Sequence, residues 1–421
     1  MRALVGGPGG YTQTGTRPPE ILDLEFPARR PLGNLWPMDF DLADEQHDFV
    51  RSLRSFVDDV IRPRAEAWDE SHELPLEAVE QMASLGLFGL PFPERYGGSG
   101  ADFLTLCLAI EEIARVDSSL AITLEAAVSL GAMPIYLFGT EEQKSRWLPP
   151  LAAGEALAGF GLTEPGGGSD AGATRTSARL ADGHWLINGS KSFITNSGTA
   201  ITSFVTVTAV TGTRDGDKEI SAFIVPTGTA GFQVGKDYRK MGWWHSDTHE
   251  LSFSDCRVPE DHLLGSKGEG FRNFLRILDD GRIAIAALAV GLAQGCLDES
   301  LRYASDRTAF GRPIGSFQGL QFKLADMAMK VELARGAYYR ASWLKQQGRP
   351  YRKEACMAKL YASESAVDVA RDAVQIHGGY GYIEEFPVCR HFRDSKILEI
   401  GEGTSEIMRV LIARELGLTG S

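Results

Sequence analysis

One carboxylate of this chain sits between two glycines in an apolar run: Ile397-Leu398-Glu399-Ile400-Gly401-Glu402-Gly403-Thr404-Ser405-Glu406-Ile407. The flanking glycines let the backbone turn sharply and let a ligand approach the main chain. Apolar surroundings raise a carboxyl pKa, so Glu402 is a candidate general base at neutral pH. The same residues also read as a loop before a helix, with Thr404 as its N-cap.

Four further stretches could contact a ligand. Phe160-Gly161-Leu162-Thr163-Glu164-Pro165-Gly166-Gly167-Gly168-Ser169-Asp170 exposes main-chain N–H groups that could hold a phosphate or a flat, oxygen-rich ring. It is neither a βαβ dinucleotide fingerprint nor a Walker loop, and taken alone it reads first as a flexible turn. Trp185 to Asn196 reads as a hairpin turning at Asn188-Gly189 and delivering Phe193, Ile194 and Thr195 as the next strand. Phe193 there suits either core packing or covering a planar cofactor. Asp306 to Arg312 places two arginines around Gly311, a pyrophosphate clasp or a charged helix end. Gln375-Ile376-His377-Gly378-Gly379-Tyr380-Gly381-Tyr382 holds more glycine than a helix C-cap needs.

Three textures position these stretches. Apolar residues recur at helical spacing from Asp44 to Trp68, Leu76 to Leu85 and Asp102 to Val116, and Ser118 to Phe138 is apolar all round. Thr140 to Gln143 is a capping box. Residues 159–268 then carry short alternating runs with Gly, Asp, Asn and Pro punctuation, the pattern of antiparallel strands. From Gly270 long helical stretches follow, Phe271–Ser305, Phe317–Gln347 and Arg352–Ile376, with a shorter one from Glu406. The expected fold is mainly α with a central β domain: a helical N-terminal domain (38–158), an antiparallel β domain (159–268) and a C-terminal four-helix bundle (269–421). Residues 1–37 read as a loosely ordered tail, or as an over-extended start before Met38.

The 421 residues carry a formal net charge of -13, which opposes nucleic-acid binding through phosphates and docking on an anionic membrane. No run of eighteen apolar residues exists, so no transmembrane helix is expected. Cys107, Cys256, Cys296, Cys356 and Cys389 are scattered and odd in number, which suggests reduced thiols in the cytoplasm. No spacing suits a metal; His245 and His249 lie in a strand-rich stretch.

In this order, the motifs FGLTEPGGGSDAG, FITN, KMGWWHSDT, DRTAFGRPI, QIHGGYGY and IGEGTSEI resemble the acyl-CoA dehydrogenase family from about Phe40 to Leu416, with wording similar to its short-chain and bacterial branches. The resemblance implies an FAD enzyme that converts an acyl-CoA thioester to the trans-2-enoyl-CoA and passes electrons to an electron-transferring flavoprotein. Glu402 matches the catalytic base, with its own N–H and a flavin hydroxyl holding the thioester carbonyl. Phe160, Leu162, Thr163 and Ser169 match one flavin-lining segment, and Phe193, Ile194 and Thr195 a second. Ser169, Asp279, Arg282 and Gly403 match positions near the CoA thioester. Arg307, Phe310, Gln318, Gln375, Gly378 and Gly379 match residues that reach the FAD of a neighbouring subunit; Thr404 and Glu406 match contacts to the adenosine side of FAD. A homotetramer, a dimer of dimers, is thereby implied.

Two departures matter. Some relatives carry the base on the first long bundle helix, where this chain has Gly281, so Glu402 is the sole candidate. Many relatives have Tyr just before the base, where this chain has Gly401; a wider pocket tolerant of branched acyl groups is the expectation. Ala126 and Ala127 lie in a helix that is a candidate pocket floor. The rival readings are a flavin oxidase or monooxygenase on the same fold, and a nucleic-acid-binding relative, which the acidic balance opposes.

Overall fold

The computed structural model describes residues 41–418; the expected tail, 1–37, lies outside them. The first part is helical: α1 (Asp44–Phe56), α2 (Ala65–Ser71), α3 (Leu76–Ser84), α4 (Phe103–Ala114), α5 (Ser118–Glu125), α6 (Met133–Phe138) and α7 (Glu141–Ala152). The helical spacing expected from Asp44 to Trp68 is broken. After α1 the chain widens into a π-turn at Val57–Ile61, and Pro63, which has no N–H to donate, separates it from α2. A second π-segment, Ala126–Ala132, joins α5 to α6. The capping box at α7 forms as expected: Gln143 N donates to Thr140 Oγ1 at 3.2 Å, and Thr140 N to Gln143 Oε1 at 3.0 Å.

The chain then builds β1 (Leu157–Gly161), β2 (Ser177–Ala181), β3 (His184–Thr195), β4 (Thr202–Arg214), β5 (Asp217–Pro226), β6 (Phe232–Asp237), β7 (Thr248–Pro259) and β8 (Leu263–Leu264). They form one eight-stranded sheet of order β6-β7-β3-β2-β4-β5-β8, with β1 against β4. The sheet is mixed, which corrects the purely antiparallel expectation: β1 and the start of β2 both run parallel to β4. Alternation along a strand reports which face is buried, not the direction of its neighbour. Trp185, Ile187, Val207, Phe223, Val225 and Leu251 fill the inner face.

Asn188-Gly189 is not a hairpin turn. It lies inside β3, at a shift in the β3–β7 register, and the tight turn falls earlier, at Asp182-Gly183 between β2 and β3. Gly189 has φ 147, and a side chain there would meet Thr176, with Cα only 2.7 Å from the Cβ position. The glycine serves close strand approach.

The last part holds α8 (Gly270–Asp306), a small hairpin of β9 (Thr308–Ala309) and β10 (Arg312–Pro313), α9 (Gln318–Gln346), α10 (Arg352–His377), α11 (Pro387–Ser395) and α12 (Ser405–Glu415). Lys323 pairs with Asp372, Lys330 with Asp368 and Arg340 with Glu354, so α9 and α10 run antiparallel. At 37 residues α8 is about 55 Å long, and its middle is buried on every side. Among the described residues two helices, Ser118–Phe138 and Gly270–Asp306, reach the length and mean hydropathy of a membrane span. In each, 83% of the apolar window is buried inside the protein.

Candidate active site

Glu402 sits on a short turn between α11 and α12. Ile400 N and Gly401 N both donate to Ile397 O, at 2.9 and 2.8 Å, and close the preceding turn. Thr404 caps α12, its hydroxyl accepting from Ile407 N at 3.3 Å, as its position in the sequence suggests. Between them Glu402 adopts φ 54 and Gly403 φ 106. Left-handed backbone costs a non-glycine residue roughly 1–2 kcal/mol, and such strain concentrates where a side chain must be aimed. Lys359 of α10, which is 0% exposed, supports the turn by donating from Nζ to Gly403 O at 2.6 Å.

Both carboxylate oxygens of Glu402 are buried, and among the described residues neither accepts a hydrogen bond from a standing donor. Burial pushes this carboxyl up to about 7, against the opposing pull of the Glu125 carboxyl, Lys359 and Arg282. Arg282 lies on α8 beside the base and bonds Asp279 Oδ1 at 2.6 Å; Asp279 Oδ2 accepts from Arg352 at 3.0 Å. Burial raises Asp279 as well, despite both arginines. Glu402, Asp279 and Arg282 therefore form one charged cluster, with the half-buried Gly403 next to the base.

The two glycine-flanked segments expected to line a flavin lie side by side. Ser192 N donates to Thr163 O at 2.9 Å, joining the end of β1 to β3. Behind them Lys191, fully buried, pairs with Glu164 at 2.9 Å and donates to Leu162 O and Thr208 Oγ1. Burial lowers Lys191 to about 8. Burial pushes Glu164 up, but Lys191 and the N–H groups of Arg175 and Thr176 outweigh it and hold that carboxyl below its ordinary range. Phe193 is 66% exposed at φ 61 and stacks on Tyr238 with ring centroids 5.0 Å apart. It is not core. Ile194 is, and Leu162 is buried too. Thr163 and Thr195 are half-buried, Ser169 is exposed, and a side chain on Gly166 would meet nothing within 4 Å. An exposed ring beside hydroxyls and an open glycine edge suits a flat cofactor with a polar rim. Phe160, by contrast, stacks on Phe274 of α8 at 4.1 Å.

A third group lies elsewhere. Arg307, Gly378 and Gly379 line an open cavity of about 480 Å³ with Tyr303, His377 and Tyr380. Gln318, Gln375 and Phe310 are exposed, Phe310 at 95%. His377 is 18 residues along α10 from Lys359, which places this patch about 27 Å along the helix from the base. Glu406 is exposed on the first turn of α12.

Sequence reasoning missed three residues. Glu125 is the single charged residue between Asp117 and Glu141, and that isolation within an apolar helix was the available signal. Lys359 falls on an alanine-rich helix face, and Glu164 stands inside the glycine motif itself. The motif around Trp243 and His245 has a structural role. Trp243 N donates to Asp394 Oδ1 at 2.6 Å, and His245 Nε2 is 2.9 Å from Asp117, the N-cap of α5. Asn196 adds a second tie to that helix by donating to Thr123 O at 3.0 Å. All five cysteines are free, and the described residues hold no cluster suited to a metal.

Three family models match the chain in order: acyl-CoA dehydrogenase N-terminal domain over 43–155, middle domain over 159–256 and C-terminal domain over 268–417. A probable acyl-CoA dehydrogenase of Bacillus subtilis, YngJ, is 52% identical over 380 residues, 90% of this chain and 100% of the relative. Among solved structures, butyryl-CoA dehydrogenase from Megasphaera elsdenii matches with a TM-score of 0.87 at 44% identity, covering 90% of this chain and 100% of that one. A chain from a study of the electron transferring flavoprotein of Acidaminococcus fermentans matches with a TM-score of 0.87 at 45% identity, covering 90% and 99%.

Proposed function

Since the chain belongs to the acyl-CoA dehydrogenase family, we propose that Glu402 is the base that takes the α-proton of a bound acyl-CoA thioester. The enzyme is an FAD-dependent acyl-CoA dehydrogenase, and its product class is the trans-2-enoyl-CoA. The observation that carries the assignment of the base is the Glu402 carboxyl itself: buried, raised to about 7 and held on a left-handed turn.

A proton beside a thioester is too weakly acidic for a free carboxylate. The site must stabilise the enolate-like transition state and bring the base toward the substrate's acidity. Among the described residues no hydrogen bond takes up the Glu402 N–H, which leaves it for the thioester carbonyl. Burial supplies the second requirement, since a carboxylate stripped of water is a stronger base. FAD, when bound, supplies the acceptor for the β-hydrogen and its electron pair. Phe193, Thr163, Thr195 and Ser169, with the main chains of Leu162 and Ile194, are the residues assigned to hold its ring; Phe160 helps anchor that edge to α8. Asp279, Arg282 and Gly403 are assigned to the thioester side.

Arg307, Phe310, Gln318, Gln375, Gly378 and Gly379 are assigned to the FAD of another copy of the chain; Thr404 and Glu406 are assigned to the adenosine side of FAD. The place of Gln375, Gly378 and Gly379 at the far end of α10, with Arg307 lining the same cavity, supports this, as does the exposed apolar row Phe322, Met329 and Leu333 on α9. The proposed assembly is a homotetramer, working in the cytoplasm in fatty or branched-chain acyl-CoA catabolism, with an electron-transferring flavoprotein as acceptor. The segments 38–158, 159–268 and 269–421 are its proposed domains.

The test is anaerobic titration of the holoenzyme with a panel of acyl-CoAs. Bleaching of the flavin with stoichiometric enoyl-CoA is expected; no bleaching with any straight or branched acyl-CoA counts against the reading. Rapid reoxidation by air would favour an oxidase.

A further inference from the structure

A second carboxyl shares the pocket with the base. Glu125 ends α5 and is 0% exposed, and both its oxygens are buried without a standing donor among the described residues. It approaches from the N-terminal helical part, whereas Glu402 approaches from the turn before α12, and both meet at Gly281 of α8. A Cβ built on Gly281 would overlap Glu402 Oε2 and lie 3.7 Å from Glu125 Oε1. Two ionised carboxylates only accept hydrogen bonds, so the contact is satisfied when one of them carries a proton.

The surroundings settle which one. Lys359 of α10 and Arg282 of α8 both favour the charged form of Glu402. Among the described residues Glu125 faces no cation: its neighbours are Glu402, the Ser129 hydroxyl and the Cys107 thiol of α4. Burial and then the nearby Glu402 charge push Glu125 well above the ordinary glutamate range. A like-charge pair in a dry site retains a proton on the partner with the poorer environment.

We propose that Glu125 is a positioning residue for the base: its neutral carboxyl donates a hydrogen bond to the Glu402 carboxylate and holds it against Gly281. Asn196, which ties α5 to the end of β3, keeps this donor in register with the flavin-lining strand. During turnover Glu402 gains the substrate α-proton, the pair then carries two protons, and one is released before the next cycle. The proposal rests on Glu402 being the base.

The FAD-loaded enzyme is assayed with butyryl-CoA across pH, as wild type, Glu125→Gln and Glu125→Met. Three ionisation states matter: doubly protonated without a base, singly protonated and active, and doubly charged without the positioning bond. Wild type should show both an acid and an alkaline limb in kcat/KM. Glu125→Gln keeps an N–H donor but cannot ionise, so the acid limb stays and the alkaline limb disappears. Glu125→Met loses the donor, so the acid limb moves up by about one to two pH units. If both variants keep both wild-type limbs, Glu125 only fills space and the proposal falls.

Thermal unfolding of wild type and Glu125→Gln against pH gives a readout independent of turnover. In the wild type the folded carboxyl stays protonated while the unfolded one ionises near 4.5, so folding takes up a proton. Wild-type stability must therefore fall relative to Glu125→Gln as pH rises above that value. A pH-independent difference between the two would overturn the pair even if Glu402 proved to be the base. A pH-dependent difference without any loss of activity in Glu402→Gln would instead locate the failure in the base assignment.

Discussion

Gly281 on α8 faces the Glu402 carboxyl so closely that the smallest possible side chain there would occupy the place of Oε2. The glycine that departs from some relatives' base position is thus what gives the base its room. Gly281→Ala should push the flexible carboxyl aside. Displacement of about 1 Å costs about 10²-fold in rate. Steady-state kcat should fall by that order while flavin absorbance and unfolding temperature stay near wild type; an unchanged kcat contradicts the packing described.

Lys359 has two effects that can be separated. Lys359→Met leaves Gly403 O without its donor, which costs about 1–3 kcal/mol of stability for a buried acceptor. It also removes a cation that favours the Glu402 carboxylate. The base's pKa then rises and the acid limb of kcat/KM moves to higher pH, since a base must be ionised to act. Denaturant unfolding and a pH profile measure the two; an acid limb that moves down would refute the electrostatic account.

The Glu164–Lys191 pair clasps the two flavin-lining segments from behind. Lys191→Met strands a carboxylate at the edge of the sheet core and should cost about 3 kcal/mol, the low end for breaking a buried pair because Glu164 is only partly enclosed. Flavin content of the purified protein should drop with it. Full FAD occupancy at wild-type stability would show that the clasp is dispensable.

Much of the architecture was legible because it rests on local periodicity. The bundle helices, the Thr404 N-cap, the Thr140 capping box and the Gly378 helix end all follow from side-chain spacing and cap chemistry. The parallel pairing of β1 with β4 was not, because it depends on where the chain arrives from the helical part. Asn188-Gly189 misled because turn chemistry is also what a strand uses where another backbone comes close, here at Thr176. At the site, Glu402 could be found from its own neighbours in sequence. Glu125 and Lys359 could not be assigned, since each gains its role from a residue more than 40 positions away.

Gly401 has ordinary space around it: a Cβ there would lie 3.5 Å from Ile397 O and 4.0 Å from Ile397 Cγ1. Gly401→Tyr should therefore fold, and its ring should narrow the region next to the base. Turnover of α- or β-branched acyl-CoAs is expected to fall by more than turnover of butyryl-CoA. Equal losses for both classes, or a native preference for straight chains alone, would contradict a pocket widened for branching.

The most direct measurement is single-turnover flavin reduction by Glu402→Gln with FAD bound and butyryl-CoA in excess, under anaerobic conditions. Glutamine keeps the shape and the turn but cannot accept the α-proton. Reduction should slow by about 10²–10⁴-fold while the oxidised flavin spectrum and acyl-CoA binding persist. Reduction at the wild-type rate would mean that another group removes the proton.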